Sequence, residues 1–285
     1  MKSKILPLIL LVLTININAQ DSEDATKNFR FGLKGNLDAC WLSPDNEREF
    51  SSDGVGIGYG WGLQMEFKLG KTTSIATGID LSTFSAGLNY SNTDLSAYKA
   101  TYYSIDNNFD FVDLSDMDSS GIQGSISHQL LNRKYKLNYV NVPFALKMKT
   151  KEIGYLTYFG EFGANIAFKT KAKVDDICNS VAWDTTSNSF ADVVMNVTDN
   201  TDLDVAKGTQ AIRAGILVGA GAEYNISGTT SMFFSLHYNL FITNMITAEK
   251  NEKYLRQYNS DTGSFTNIGA KSIPGSVSLT VGVLF

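Results

Sequence analysis

"GVGIGYGWGLQMEFKL", residues 54–69, alternates without a break. Val55, Ile57, Tyr59, Trp61, Leu63, Met65, Phe67 and Leu69 are apolar; Gly54, Gly56, Gly58, Gly60, Gly62, Gln64, Glu66 and Lys68 fall between them. A period of two is the side-chain period of a β-strand, so this stretch has one greasy face and one face of glycine and charge.

The same pattern recurs along the chain. Phe29, Phe31, Leu33, Leu37 and Ala39 share a face opposite Arg30, Lys34, Asn36 and Asp38. Ile75, Ile79 and Leu81 oppose Asp80. In "LNYVNVPFALKM" the apolar phase changes, from Leu137 and Tyr139 to Val142, Phe144, Leu146 and Met148, which reads as a bulge at Val140 or beside Pro143. "YLTYFGEFGANIAF", "AIRAGILVGAGAEYNI", "SMFFSLHYNLF" and "SVSLTVGVLF" complete the set.

Eight strands result, and their connections alternate. Short ones lie near Gly70-Lys71, Thr150-Lys151 and Ser227-Gly228; the longest span about 85–133 and 169–208. Short turns on one side and long loops on the other are the mark of an outer-membrane barrel. A soluble barrel would alternate too, with the apolar face inward. The glycine-rich opposite face suits the narrow lumen of eight strands, and aromatics near strand ends suit membrane interfaces. The expected fold is therefore all-β: an eight-stranded antiparallel up-and-down transmembrane barrel with long extracellular loops, over residues 29–285.

The chain has 285 residues, 43% hydrophobic and 19% charged. Lys2 and Lys4 precede the apolar run "ILPLILLVLTINI", and Asn18-Ala19-Gln20 follows, which reads as a signal peptide over residues 1–19 with a periplasmic N-terminal segment at 20–28. Net charge is −5, or −7 without Lys2 and Lys4, which argues against nucleic acid as a partner. The expected partners are outer-membrane lipid and the outer-membrane assembly machinery, read through a last strand ending on Phe285. A secretion-system or surface protein is a further expected partner.

"LNYVNVPFALKMK" resembles the PorT-like outer-membrane β-barrel family of Bacteroidetes, with Tyr139, Val140, Val142, Pro143, Phe144 and Leu146 at its positions. "FRFGLKGNL", "YLTYFGEFGANIAF", "GILVGAGAEY" and "FFSLHYNL" also match. The resemblance implies a barrel, and the family's named member implies a link to type IX secretion.

On this register Lys34, Glu66, Lys68, Asp80, Glu161, Arg213 and Glu223 point into the lumen. Such a network fits either a selective pathway or a salt-bridged plug, and the small bore of eight strands favours the plug. His237 lies between Ser235 and Asn239 on one face, the one place where a hydrolase could be built; no signature supplies its partners, and a hydrogen-bonding lumen histidine is the simpler reading. His128 falls in a loop. Asp116, Asp118, Ser120 and Gly121 match four positions of a calcium loop, with Ser127 where its bidentate Glu should be. Cys40 ends the first strand and Cys178 lies in a long loop, both at the outer end, where a disulfide could staple them. No cofactor is expected. The function expected is non-enzymatic: loops displayed for binding, adhesion or assembly and secretion support. A small-solute pore and a lipid-modifying enzyme using His237 are the competing classes.

Overall fold

The computed structural model describes residues 28–47, 50–90, 100–112, 126–181, 183–184, 189–190, 197–246, 254–259, 264–268 and 271–285. Eight strands make the ring: β1 Phe29–Pro44, β2 Gly56–Lys68, β3 Thr73–Asn89, β4 Ile126–Lys149, β5 Leu156–Val181, β6 Ile212–Ser227, β7 Thr230–Phe241 and β8 Ser272–Leu284. Each pairs antiparallel with its neighbour in sequence, and β8 closes on β1 with Leu33 opposite Val283. Closure satisfies the backbone within the sheet, which lipid demands because it offers no hydrogen-bond partners. The tightest connection joins β6 to β7 through Gly228 and Thr229, with Gly228 at φ +57°, a conformation glycine adopts without strain.

Outward residues of the ring are apolar. Ile57, Tyr59 and Trp61 of the quoted stretch are 76%, 62% and 63% exposed. Aromatics gather at the end carrying the short turns: Phe29 meets Phe67 at 4.9 Å, Phe31 meets Phe285 at 5.9 Å, and Tyr155 meets Tyr224 at 6.0 Å.

Toward the other end the polarity inverts. Along β1 the inward side chains run Arg30, Lys34, Asn36, Asp38, then Cys40 and Leu42, the last two fully buried. Along β3 they run Ser74, Asp80, Ser82, then Phe84, Ala86 and Leu88, while the outward ones change from Ile75, Ile79 and Leu81 to Thr83 and Ser85. On β4 the outward apolar run lasts from Met148 to Val140, nine residues, and gives way to Asn138, Lys136 and Lys134. About 9 to 11 residues cross a bilayer, so the remainder of this 24-residue strand stands outside it. There the barrel is an ordinary protein in water, with Leu137, Tyr139, Tyr135 and Val174 among its buried core.

The extension is widened by added strands. Thr101–Ile105 pairs with the outer end of β4, Arg256–Asn259 with Thr101–Ile105, and Ser264–Asn267 with Arg256–Asn259. Val197–Asp204 pairs with the outer end of β5.

This inversion corrects the reading of β4. Odd-numbered side chains stay inward from Arg133 to Lys147, so no bulge lies at Val140 or Pro143. The apolar residues change face because the surroundings change. The register does shift between Asn138 and Tyr139, but the extra residue is Thr170 on the facing β5. His128, expected in a loop, lies on β4 and is buried; Cys178, also expected in a loop, lies on β5 and is buried too.

Candidate functional site

The lumen is filled in layers. At the short-turn end three carboxylates meet three cations. Arg30 reaches Glu66 at 2.6 Å and Glu223 at 2.9 Å. Lys147 lies 2.6 Å from Glu223, 3.5 Å from Glu161 and 3.6 Å from Glu66. Lys149 pairs with Glu66 and lies 2.9 Å from Glu223. Ser74 donates to Glu66 at 2.7 Å, and the Lys147 ammonium sits 3.8 Å from the centre of the Phe159 ring. Charges this deep are stable only when paired on several sides, and balanced numbers make that geometry self-consistent.

One layer further in, His237 Nε2 lies 2.8 Å from a Glu161 carboxylate oxygen, and Lys34 lies 2.9 Å from Asp80. The glycines leave room for these groups. A Cβ on Gly219 would lie 2.2 Å from His237 Cδ2, and one on Gly62 would lie 2.4 Å from Asp80 Oδ1. On the quoted strand Gly60 does the same for Asn36, whose Oδ1 would lie 2.7 Å from such a Cβ.

Above them a cavity of about 80 Å³ is lined by Asp38, Asp80, Asn165, Arg213, His237 and neighbouring polar groups. Arg213 caps it. Its guanidinium stacks 3.6 Å from the Tyr139 ring centre, 4.3 Å from Phe241 and 4.8 Å from Phe84, and its Nε and Nη1 have no hydrogen-bond partner. Desolvated cation–π contacts offset part of the cost of burying it. Beyond Arg213 the interior is the apolar core, crossed among the described residues by a bidentate pair, Arg133 to Asp176 at 2.7 and 2.6 Å, beneath the Tyr103 and Phe111 rings.

Of the residues expected in the lumen, Glu66, Glu161, Glu223, Lys34 and Asp80 lie in ion pairs there, and Arg213 lies there without a carboxylate. Lys68 does not: it is exposed at the rim, because the inward series of β2 ends at Glu66. Arg30, Lys147 and Lys149 were not among the expected lumen charges, although they share the parity of Asn36 and Asn141 on their strands. Of the two states the sequence left open for Cys40 and Cys178, a disulfide or two free thiols, the disulfide is not formed. Both thiols are free and buried. Cys178 has its own neighbours, with Tyr103 Oη at 3.5 Å, Asn200 Nδ2 at 3.4 Å and His128 Nδ1 at 3.5 Å. Asp116 to Gly121 of the calcium-like stretch lie outside the described residues. Ser127, its last position, is buried on β4 and hydrogen-bonded to Ser104 at 2.8 Å. Among the described residues no group of three or more His, Cys, Asp or Glu is placed to hold a metal.

The lumen of the described barrel thus holds a charge plug, a small polar cavity and an apolar core, in that order. No curated protein sequence matches the chain. Among solved structures it is similar to the outer membrane protein OprG from Pseudomonas aeruginosa, at 9% identity over 90% of this chain and 94% of that one, TM-score 0.44. It is also similar to Ail, the attachment invasion locus protein of Yersinia pestis, at 12% identity over 90% and 99%, TM-score 0.31. A third is the outer membrane protease OmpT from Escherichia coli, at 9% identity over 90% and 96%, TM-score 0.34. Residues 18–247 match the outer membrane protein beta-barrel domain, and with its eight-strand ring the chain belongs to that family and to the outer membrane.

Proposed function

We propose that this is a non-conducting, non-enzymatic barrel that anchors an outer extension used for binding, adhesion or assembly and secretion support, as a PorT-like member of the Bacteroidetes barrels exported by a signal peptide over residues 1–19. The observation that carries it is the continuity of the strands past the membrane belt into a water-facing module with its own core. A pore has no use for an apolar core in its path. A structural plug and a folded outer platform are what a display scaffold needs.

Two measurements test this. Purified protein in planar bilayers should give no steady large conductance, and a steady open level would overturn the closed lumen. Cross-linking from the extension in intact cells should capture one reproducible surface or secretion protein, lost when residues of the extension are replaced; capture that is indifferent to those replacements would overturn the display role.

The competing enzyme reading rests on His237, Glu161 and nearby Ser235. His237 and Glu161 hold each other inside the lumen, and the Ser235 hydroxyl is buried without a partner. A substrate would have to displace the plug. A lipid-modifying activity abolished by His237→Ala would favour the enzyme.

A further inference from the structure

At the upper edge of the lipid belt lies an outward groove of about 310 Å³ that is apolar on one wall and basic on the other. Ile57 and Tyr59 of β2 form the apolar wall. Lys134 and Lys136 of β4 and Lys171 and Lys173 of β5 form the basic one. On the same face of β4 the step from Val140 to Asn138 marks the end of the apolar run, so the groove sits where lipid tails give way to headgroups.

The lysines are arranged against their own interest. Lys136 lies directly opposite Lys173 across the β4–β5 pair, and like charges so placed destabilise a sheet. Lys136 pairs with Asp175 and lies 4.0 Å from the carboxylate of Asp202, which also lines the groove, and Lys173 donates to the Asp202 carbonyl at 2.8 Å. Lys134 and Lys171 are exposed and have no ion pair or side-chain hydrogen bond among the described residues. Four lysines against Asp175 and Asp202 leave this face net positive on a chain whose net charge is −5, a local concentration and not a general surface property. They call for an anion. A freely dissolved anion would have no use for the apolar wall, whereas a lipid with a phosphate headgroup fits both walls at this depth.

We propose that this groove binds a phosphate-bearing, multiply acylated lipid of the outer leaflet, its chains against Ile57 and Tyr59 and its phosphate on the lysine row that runs from Lys134 through the facing Lys136 and Lys173 to Lys171. The site goes beyond the display role and does not depend on it.

The test uses full-length protein in nanodiscs of phosphatidylcholine carrying a few per cent of a diphosphorylated, acylated disaccharide lipid or its dephosphorylated form. Native mass spectrometry counts the lipid retained. Wild type should keep one phosphorylated lipid in preference to the dephosphorylated one. Lys134→Gln/Lys171→Gln should weaken retention about 30-fold, near fivefold per lysine. Lys134→Arg/Lys171→Arg should retain it, and Ile57→Ser should weaken it with the charges intact. Heat-modifiable migration verifies folding of each variant; if the Gln pair does not fold, the Arg pair and Ile57→Ser decide. Equal retention of both lipids, no loss in the Gln pair or in Ile57→Ser, or inorganic phosphate bound by lipid-free protein as tightly as the lipid would each overturn the proposal.

Discussion

At Glu66 and Arg213 the same problem, a charge out of water, is solved in opposite ways. Glu66 is fully buried and faces Arg30, Lys147 and Lys149. Glu66→Gln leaves three cations sharing fewer counter-charges, and breaking a buried pair in this way costs about 3–5 kcal/mol. Arg213 has no ion pair among the described residues and stacks on three rings above the polar cavity, so Arg213→Met removes a desolvation penalty along with the cation–π contacts. Urea unfolding from lipid vesicles should show a large loss for the first and no loss, or a gain, for the second. Equal losses would mean that Arg213 is paired. The glycines make a sharper residue-scale prediction. Gly219→Ala drives a methyl into the His237 ring and should cost about 1–3 kcal/mol. His237→Ala in the same chain should recover most of that, and a double-mutant cycle with no coupling would refute the steric account.

Single strands carry both what the sequence reveals and what it hides. Alternation identified all eight ring strands, because lipid outside and a tight lumen inside force a period of two. It also placed Glu66, Asp80, Glu161 and Glu223 correctly, since parity alone sets the face. The inversion on β4 was not legible: an apolar residue every second position looks the same whether it meets lipid or a protein core, so the change of face at Tyr139 imitated a bulge. The real extra residue, Thr170, flips the parity of β5 and carries Cys178 inward, which nothing in its own stretch announces. Lys147 and Lys149 were hidden because β4 was read through its apolar side chains. The belt assigned to β4 can be tested directly. Phe144 lies at the middle of the outward run from Val140 to Met148, and Phe144→Lys should cost about 2–4 kcal/mol. Asn138→Lys, three positions further along the outward face, should change stability by no more than about 0.5 kcal/mol. Similar costs at the two positions would move the membrane boundary up the strand.

The whole molecule is two solvation regimes on one continuous sheet, and pH should separate them. In the extension His128 is 3% exposed, its Nε2 has no partner, and burial pushes its pKa below the ordinary 6.5, with Asp176 opposing only in part. Its neighbour Cys178 is shifted the other way: burial holds the thiol above its ordinary 9.0, with the Tyr103 hydrogen bond opposing. When the extension opens, both groups regain water. Below about pH 6.5 the opened form takes up a proton that the closed form refuses, so closing is disfavoured progressively as pH falls. Above about pH 9 the opened form releases a thiol proton that the closed form keeps, so closing is disfavoured again as pH rises. The stability of the extension should therefore be flat between these limits and fall on both sides. Hydrogen exchange of the outer ends of β4 and β5, corrected for intrinsic rates, should accelerate at pH 5 and pH 10 relative to pH 7.5. His128→Gln should remove the acid arm alone, and Cys178→Ser should reduce the alkaline arm, where Tyr103 and Tyr135, also shifted upward by burial, still contribute. Amides facing one another between β1 and β2, below Asp38, should show neither arm if the extension opens without the barrel. An acid arm that survives His128→Gln, or one shared equally by the β1–β2 amides, would defeat the assignment of separate stability to the outer module.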